Sequence, residues 1–344
     1  KFQKDEVLYI HQTYIGLLLK TTLKELIMVV NTHCHILCKE LYSDAFWNGI
    51  AAGYAKSLGI PTETVMSQMM PQTWASDASV FTQIMADAGV DKAFICHPDY
   101  GKSVVGEAKW SIEQVNKWYI DQRDQYPDKL EAVVGIDPRR GEAGIKLLEK
   151  AAEEWAVKAV KIYAPCGFYP DDPKYDAFYA KCQELGLMLQ SHTAALTHPL
   201  VENKYANPMY LDSIAAKFPD LKILMVHFGG GFTTWTLGAI EIMAGRANVF
   251  AEFSGHQGIA KSFPEYWLKL LRAVLDTQAL FGAPLKERIM FGSDWPYLLP
   301  YFDDKAWVQY FKDIPETAKQ YGLKFTQEEI NLILNENPKK IFGL

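Results

Sequence analysis

The chain has 344 residues, a net charge of −6, 49% hydrophobic residues and 22% charged residues. That balance suits a globular protein with ample core. It argues against a nucleic-acid partner, for which no basic stripe with interleaved aromatics is present. No apolar run reaches the ~20 residues of a membrane-spanning helix. Five scattered cysteines (Cys34, Cys38, Cys96, Cys166, Cys182), with no paired CxxC spacing, fit reduced thiols and a cytoplasmic setting.

Residues 1–27 read as an N-terminal extension. Their apolar patch, Tyr14 to Leu19, is too short and wrongly flanked for an export signal. The segment is either a helix packed on the fold or a piece outside it, and Met28 would make a natural start. Residues 28–344 then form a single domain.

From there the chain alternates short apolar runs with amphipathic stretches of helical length. Strands are expected over 26–33, 92–97, 130–136, 157–163, 187–192, 222–227, 248–254 and 288–294. Helices are expected over 78–88, 111–125, 141–154, 174–185, 211–218 and 264–277. Alternating strand and helix argues for βαβ units and a parallel sheet. Near-continuous apolar strands suit a sheet buried on both faces. Eight such units imply a closed (β/α)8 TIM barrel, whose chemistry gathers at the C-terminal ends of its strands. Residues 37–89 exceed one crossover and read as an insertion over the barrel mouth that shapes substrate access. The tail after residue 298 reads as helical, with Thr326-Gln327-Glu328-Glu329 as a helix start.

Four of the strands end in a group able to bind metal. His33-Cys34-His35 closes the first, and the period of two sets Asn31, His33 and His35 on one face with Cys34 on the other. Cys34 therefore reads as core. His192 closes the fifth strand, His227 the sixth and Asp294 the eighth. Any one of these alone is better read as a satisfied histidine or a helix-capping aspartate. Together, five groups converging on one barrel mouth point to a transition-metal site.

This set resembles the amidohydrolase superfamily, and more narrowly its amidohydrolase-related branch. That branch includes aminocarboxymuconate-semialdehyde decarboxylase, γ-resorcylate decarboxylase and several lactone and amide hydrolases. The matching text is Asn31-Thr32-His33-Cys34-His35, Ala159-Val160-Lys161-Ile162-Tyr163, Gln190-Ser191-His192, Met225-Val226-His227-Phe228-Gly229-Gly230, Phe291-Gly292-Ser293-Asp294-Trp295-Pro296 and the ending from Asn337-Pro338. The resemblance implies that His33, His35, His192 and Asp294 hold one divalent metal, most often Zn2+ with Mn2+ as the alternative. His227 would then act as acid or base, with Asp294 also accepting a proton. Mixed imidazole and carboxylate ligation with an open position agrees with that chemistry. Asn31 departs from the family's usual Asp, which bears on hydrogen bonding behind the ligands. Lys161 occupies the position where binuclear members carry a carboxylated lysine. It reads here as a free ammonium that anchors an anionic substrate group.

Further substrate-binding candidates are Arg139 beside Arg140, which could clamp a carboxylate, and His97, His256 and Tyr163 at other strand ends. Phe168 and Tyr169 are expected to wall the pocket, and His11 and His198 to be surface or core residues. The expected activity is hydrolysis of a small carboxylated or cyclic lactone, amide or ester by metal-activated water. The alternative is metal-dependent nonoxidative decarboxylation of a small aromatic or semialdehyde acid. A non-catalytic barrel would have lost ligands, and all five positions are filled. The expected partner is a small-molecule substrate, and the resemblance suggests a homodimer.

Overall fold

A computed structural model describes residues 28–195, 198–232, 234–299 and 301–344. The extension 1–27 and the first residues of the expected opening strand lie outside the described residues. Eight strands form one parallel sheet in sequence order: β1 (Val30–Cys34), β2 (Lys92–Cys96), β3 (Leu130–Gly135), β4 (Ala159–Ile162), β5 (Met188–His192), β6 (Ile223–Val226), β7 (Val249–Glu252) and β8 (Ile289–Met290). Thr32 N donates to Phe291 O at 2.9 Å, and Asp294 N and Ser293 N donate to His33 O at 2.9 and 3.1 Å. These bonds join the last strand to the first and complete the (β/α)8 barrel.

Each strand leads into a helix packed outside the ring. These are α2 (Ala78–Ala88), α3 (Ile112–Gln125), α4 (Glu142–Glu153), α5 (Asp176–Glu184), α6 (Tyr210–Lys217), α7 (Thr234–Gly245), α8 (Pro264–Asp276) and α9 (Asp304–Thr317). Local chemistry sets their ends. Asp77 caps α2 through Ser79 N and Val80 N, and Ser111 with Gln114 forms a capping box on α3. Helix α7 escaped the periodicity reading because Thr234–Gly245 is apolar nearly all round and contains two glycines.

The insertion after β1 holds α1 (Asp44–Leu58), followed by short helical pieces up to Trp74. Phe46, Ile50, Tyr54 and Ser57 recur at helical spacing along α1 and face the cavity at the barrel mouth. The other end is closed by the tail. Ile341 and Phe342 of α10 (Asn337–Phe342) pack among Val30, Phe94, Ala159 and Met188, with the Phe94 and Phe342 rings 4.1 Å apart.

The strict alternation expected for the first strand fails. Asn31 pairs with Ala93 and Cys34 with Ile95, so β1 has one extra residue between them. That bulge keeps His33 and His35 at the cavity but removes Asn31 from it. The Asn31 amide instead clamps the seam. Its Nδ2 donates to Ser293 Oγ at 2.8 Å, and its Oδ1 accepts from Ser293 N at 3.1 Å and His33 N at 3.3 Å. Ser293 Oγ also accepts from Trp295 N at 3.2 Å. Replacing Asn31 with Ala is expected to cost about 2–3 kcal/mol, since a fully buried group with three hydrogen bonds is lost. Urea unfolding of the two proteins measures it; a change below about 0.5 kcal/mol would show that the seam does not depend on this amide.

Candidate active site

Six buried polar groups converge at the C-terminal mouth. His33 and His35 come from the end of β1, Lys161 from β4, His192 from the end of β5, His227 from just after β6, and Asp294 from just after β8. All six line one cavity of about 490 Å³, with Tyr163 and the α1 stripe in its wall. Two of them sit at sharp turns of the chain. His227 (φ 69°) and Asp294 (φ 55°) are left-handed, a conformation rare outside glycine and concentrated at functional positions. Gly255 gives the His227 ring its room, since a Cβ there would lie 3.1 Å from His227 Cβ and Nδ1.

Each histidine is oriented through its far nitrogen. His35 Nδ1 donates to Cys96 O at 2.7 Å, and His192 Nε2 donates to Ala194 O at 2.9 Å. His33 Nδ1 lies 3.4 Å from Cys96 Sγ. These contacts direct His33 Nε2, His35 Nε2 and His192 Nδ1 inward as lone-pair donors. His227 differs from the rest. Its Nδ1 meets Ser254 Oγ at 2.8 Å, and that hydroxyl donates to Glu252 Oε1 at 2.6 Å. Glu252 also accepts His227 N at 2.7 Å and Ser254 N at 2.6 Å. Three imidazoles therefore rest on carbonyl or sulfur atoms, while the fourth is wired to a carboxylate.

The inward atoms form a donor set. Asp294 Oδ1 lies 3.0 Å from His35 Nε2 and 3.4 Å from His33 Nε2. Donor atoms of His33, His227 and Asp294 all lie within 4.8 Å of one another. The His192 ring stands 4.6 Å from the His227 ring, centroid to centroid. Cys96 Sγ also groups with His33 and His35, but from the rear of both rings. His33 Nε2 is buried with no hydrogen-bond partner, which native interiors rarely tolerate without a ligand. Imidazole nitrogen plus carboxylate oxygen is the donor chemistry of a catalytic divalent metal, so these residues fit one.

Electrostatics agree. Burial, helped by the Lys161 charge, holds His33 well below the usual histidine range and His192 down to about 3. Burial and the neighbouring His192 and Lys161 charges do the same to His227. Neutral rings keep their lone pairs for a cation. His35 is the exception. Burial disfavours its charged form, but charge on Cys96 and hydrogen bonds to Asp294 and Cys96 win, raising it to about 10.

Comparison with known proteins then decides the family. A family profile described as Amidohydrolase matches residues 30–344. The chain belongs to the amidohydrolase family. No curated protein sequence matches it. Among solved structures it resembles an uncharacterised TIM-barrel protein from Bordetella bronchiseptica (17% identity, TM-score 0.63, covering 92% of this chain and 98% of that one). It also resembles a 5-carboxyvanillate decarboxylase from Novosphingobium aromaticivorans with bound manganese (16%, 0.63, 93% and 98%). A third is a dihydroxybenzoic acid decarboxylase from Polaromonas sp. JS666, with manganese and 2-nitroresorcinol (15%, 0.63, 92% and 97%). At these identities the likeness is one of fold. Among the described residues no helix is long and apolar enough to cross a membrane.

Three substrate-binding candidates lie outside the cavity wall. The Arg139 guanidinium is held by Asp137 at 2.7 to 3.2 Å and by Cys166 O. His97 is fully engaged with Asn116 Oδ1 and Pro98 O. His256 donates to His227 O and accepts from Trp267 Nε1, packing behind the site. Phe168 is buried away from the cavity wall and Tyr169 is exposed. Conversely, His198 belongs to the wall, stacked 4.5 Å from Phe46 with its Nε2 on Phe46 O. Glu252, Ser254 and Cys96 were missed. A lone carboxylate in the apolar run Val249–Glu252 was the signal for the first of these.

His35 yields a test of the donor set. Its metal-free ring keeps a proton until the pH passes about 10, so at pH 7.5 that proton must leave before Nε2 can bind a cation. Loading chelator-stripped protein with Mn2+ or Zn2+ should release about one proton per site, with apparent affinity rising with pH. Calorimetry in two buffers of different ionisation enthalpy measures this. Binding without proton release would remove His35 from the ligand set.

Proposed function

We propose that this enzyme is a metal-dependent carboxy-lyase acting nonoxidatively on a small aromatic acid, the alternative reading of its sequence, in preference to a hydrolase. The observation that carries the proposal is the cavity wall. Phe46, Tyr54, Tyr100, Tyr163 and Tyr297 surround the histidine–aspartate cluster, a lining suited to a flat ring. The fold likeness to two decarboxylases of aromatic acids, both with manganese, supports the same reading and favours Mn2+ alongside Zn2+ as the metal.

His33, His35, His192 and Asp294 would hold the metal, which when bound supplies positive charge to draw in the acid's oxygens and stabilise charge developing on the ring. His227 is assigned the proton transfer, because it alone among these histidines is backed by a carboxylate. Its Nε2 faces the cavity and gives a proton to the ring carbon bearing the carboxylate. The C–C bond then breaks, its electron pair restores the aromatic ring, and CO2 leaves. Burial pushes the Glu252 carboxyl up to about 7, so near neutrality it can hold a proton. With Glu252 protonated, its carboxyl donates to Ser254 Oγ and the Ser254 hydroxyl turns to donate to His227 Nδ1, leaving the proton on Nε2. As Nε2 gives that proton up, Ser254 passes its own to Nδ1 and takes the one from Glu252, which ends as carboxylate. Gly292 makes this placement feasible: any Cβ there would collide with the Glu252 carboxylate.

Turnover of a hydroxybenzoate panel in deuterated water should release CO2 and leave deuterium on the ring carbon. Replacing His227 with Asn should cut kcat by about 10²–10⁴-fold with metal content retained. Hydrolysis of a lactone or amide panel, with solvent oxygen-18 entering a new carboxylate and no CO2 from any aromatic acid, would return the enzyme to the hydrolases.

A further inference from the structure

Lys161 is about 1% exposed, lines the cavity, and forms no hydrogen bond or ion pair with the described residues. An ammonium is rarely buried without a partner, because desolvation then goes uncompensated. Burial pulls its ammonium below the usual lysine range, and the charges of Cys96, Asp294 and Glu252 offset part of that. It therefore presents an unpaired positive charge at the inner end of the cavity, beside the donor cluster.

No other lysine and no arginine lines the cavity among the described residues. The nearest candidates by position are already taken. Arg139 is paired with Asp137, and Arg140 is paired with Asp99 and Glu107. Away from that cluster the wall carries no charged side chain: Phe46, Ile50, Tyr54 and Ser57 of α1, His198, which burial keeps neutral, and Leu298 and Tyr301 after β8. Such a wall can stack on a ring and hydrogen-bond a hydroxyl or methoxy group. It offers an ionised carboxylate no counter-charge, and a carboxylate stripped of water there goes unpaired.

We propose that this cavity selects aromatic acids with a single carboxylate, taken at the Lys161 end, and rejects ring dicarboxylates. The proposal rests on the carboxy-lyase reading for its substrate class, but it concerns recognition rather than chemistry. The carboxylate sits deep, between Lys161 and the donor cluster. The ring lies along the aromatic wall, and substituents at the outer end are neutral.

The experiment compares 2,6-dihydroxybenzoate with 4-hydroxyisophthalate on the metal-loaded protein, by calorimetric binding and by CO2 release. The monoacid should bind and turn over at least about 100-fold better than the diacid, as expected when one partner leaves a buried charge unpaired. Ile50→Arg should narrow that ratio at least tenfold by supplying the missing cation. Leu298→Arg provides the same test on another element should the first variant fail to fold. Lys161→Met should weaken binding of 2,6-dihydroxybenzoate at least tenfold while leaving that of uncharged resorcinol unchanged. Equal binding of monoacid and diacid overturns the proposal, whether or not CO2 is released. Selective binding of the monoacid without CO2 release upholds it and removes the carboxy-lyase reading instead. Binding of neither acid overturns both.

Discussion

The seam between the first and last strands is the constraint on which the rest of this structure depends. His33 O accepts hydrogen bonds from both Ser293 N and Asp294 N, and Asn31 ties Ser293 from the other side. The bonds that close the barrel therefore also set the distance between two groups of the metal site. Asp294 Oδ1 reaches His35 and His33 within 3.4 Å because its backbone is fastened to the strand that carries them. Closure and function share one set of hydrogen bonds, so a lesion at the seam affects both.

Burial does the next part of the work. Every polar group at the mouth is nearly removed from water, which makes unpaired charge expensive and paired charge strong. Three of the four histidines respond by staying neutral and offering lone pairs, while His35 keeps its proton beside Asp294. Their rear nitrogens are assigned by what lies behind them: a carbonyl for His35 and His192, a thiol for His33, a Ser–Glu relay for His227. That difference separates a residue suited to hold a cation from one suited to move a proton. Lys161 lines the same cavity, buried and without a hydrogen bond or ion pair among the described residues.

Much of this was legible in the sequence. The eight strands, six of the flanking helices and the five converging groups follow from apolar runs, their spacing and the residues that end them. The substrate-contacting roles were harder to read. Position at a strand end places a side chain near the mouth but does not say whether a neighbour has already taken it. Arg139, His97 and His256 stand outside the cavity wall, held respectively by the Asp137 carboxylate, by Asn116, and by His227 O with Trp267. The shared face expected for Asn31 with His33 and His35 did not hold because a one-residue bulge shifts the register, and nothing in Val30–Cys34 marks a bulge; its expected part in the hydrogen bonding behind the ligands stands. The wall contributed by α1 was visible only as an insertion, since the direction of its stripe depends on packing.

The central claim is that one divalent metal sits at the β1–β8 seam with Lys161 as a free ammonium. Elemental analysis of freshly purified protein, paired with intact mass and carbon-13 bicarbonate NMR, tests it most directly. Close to one equivalent of metal per chain, absent from His33→Ala, with no carbamate on Lys161, is the predicted result. Two equivalents with a carbamate signal from Lys161, or no transition metal in active protein, would contradict it.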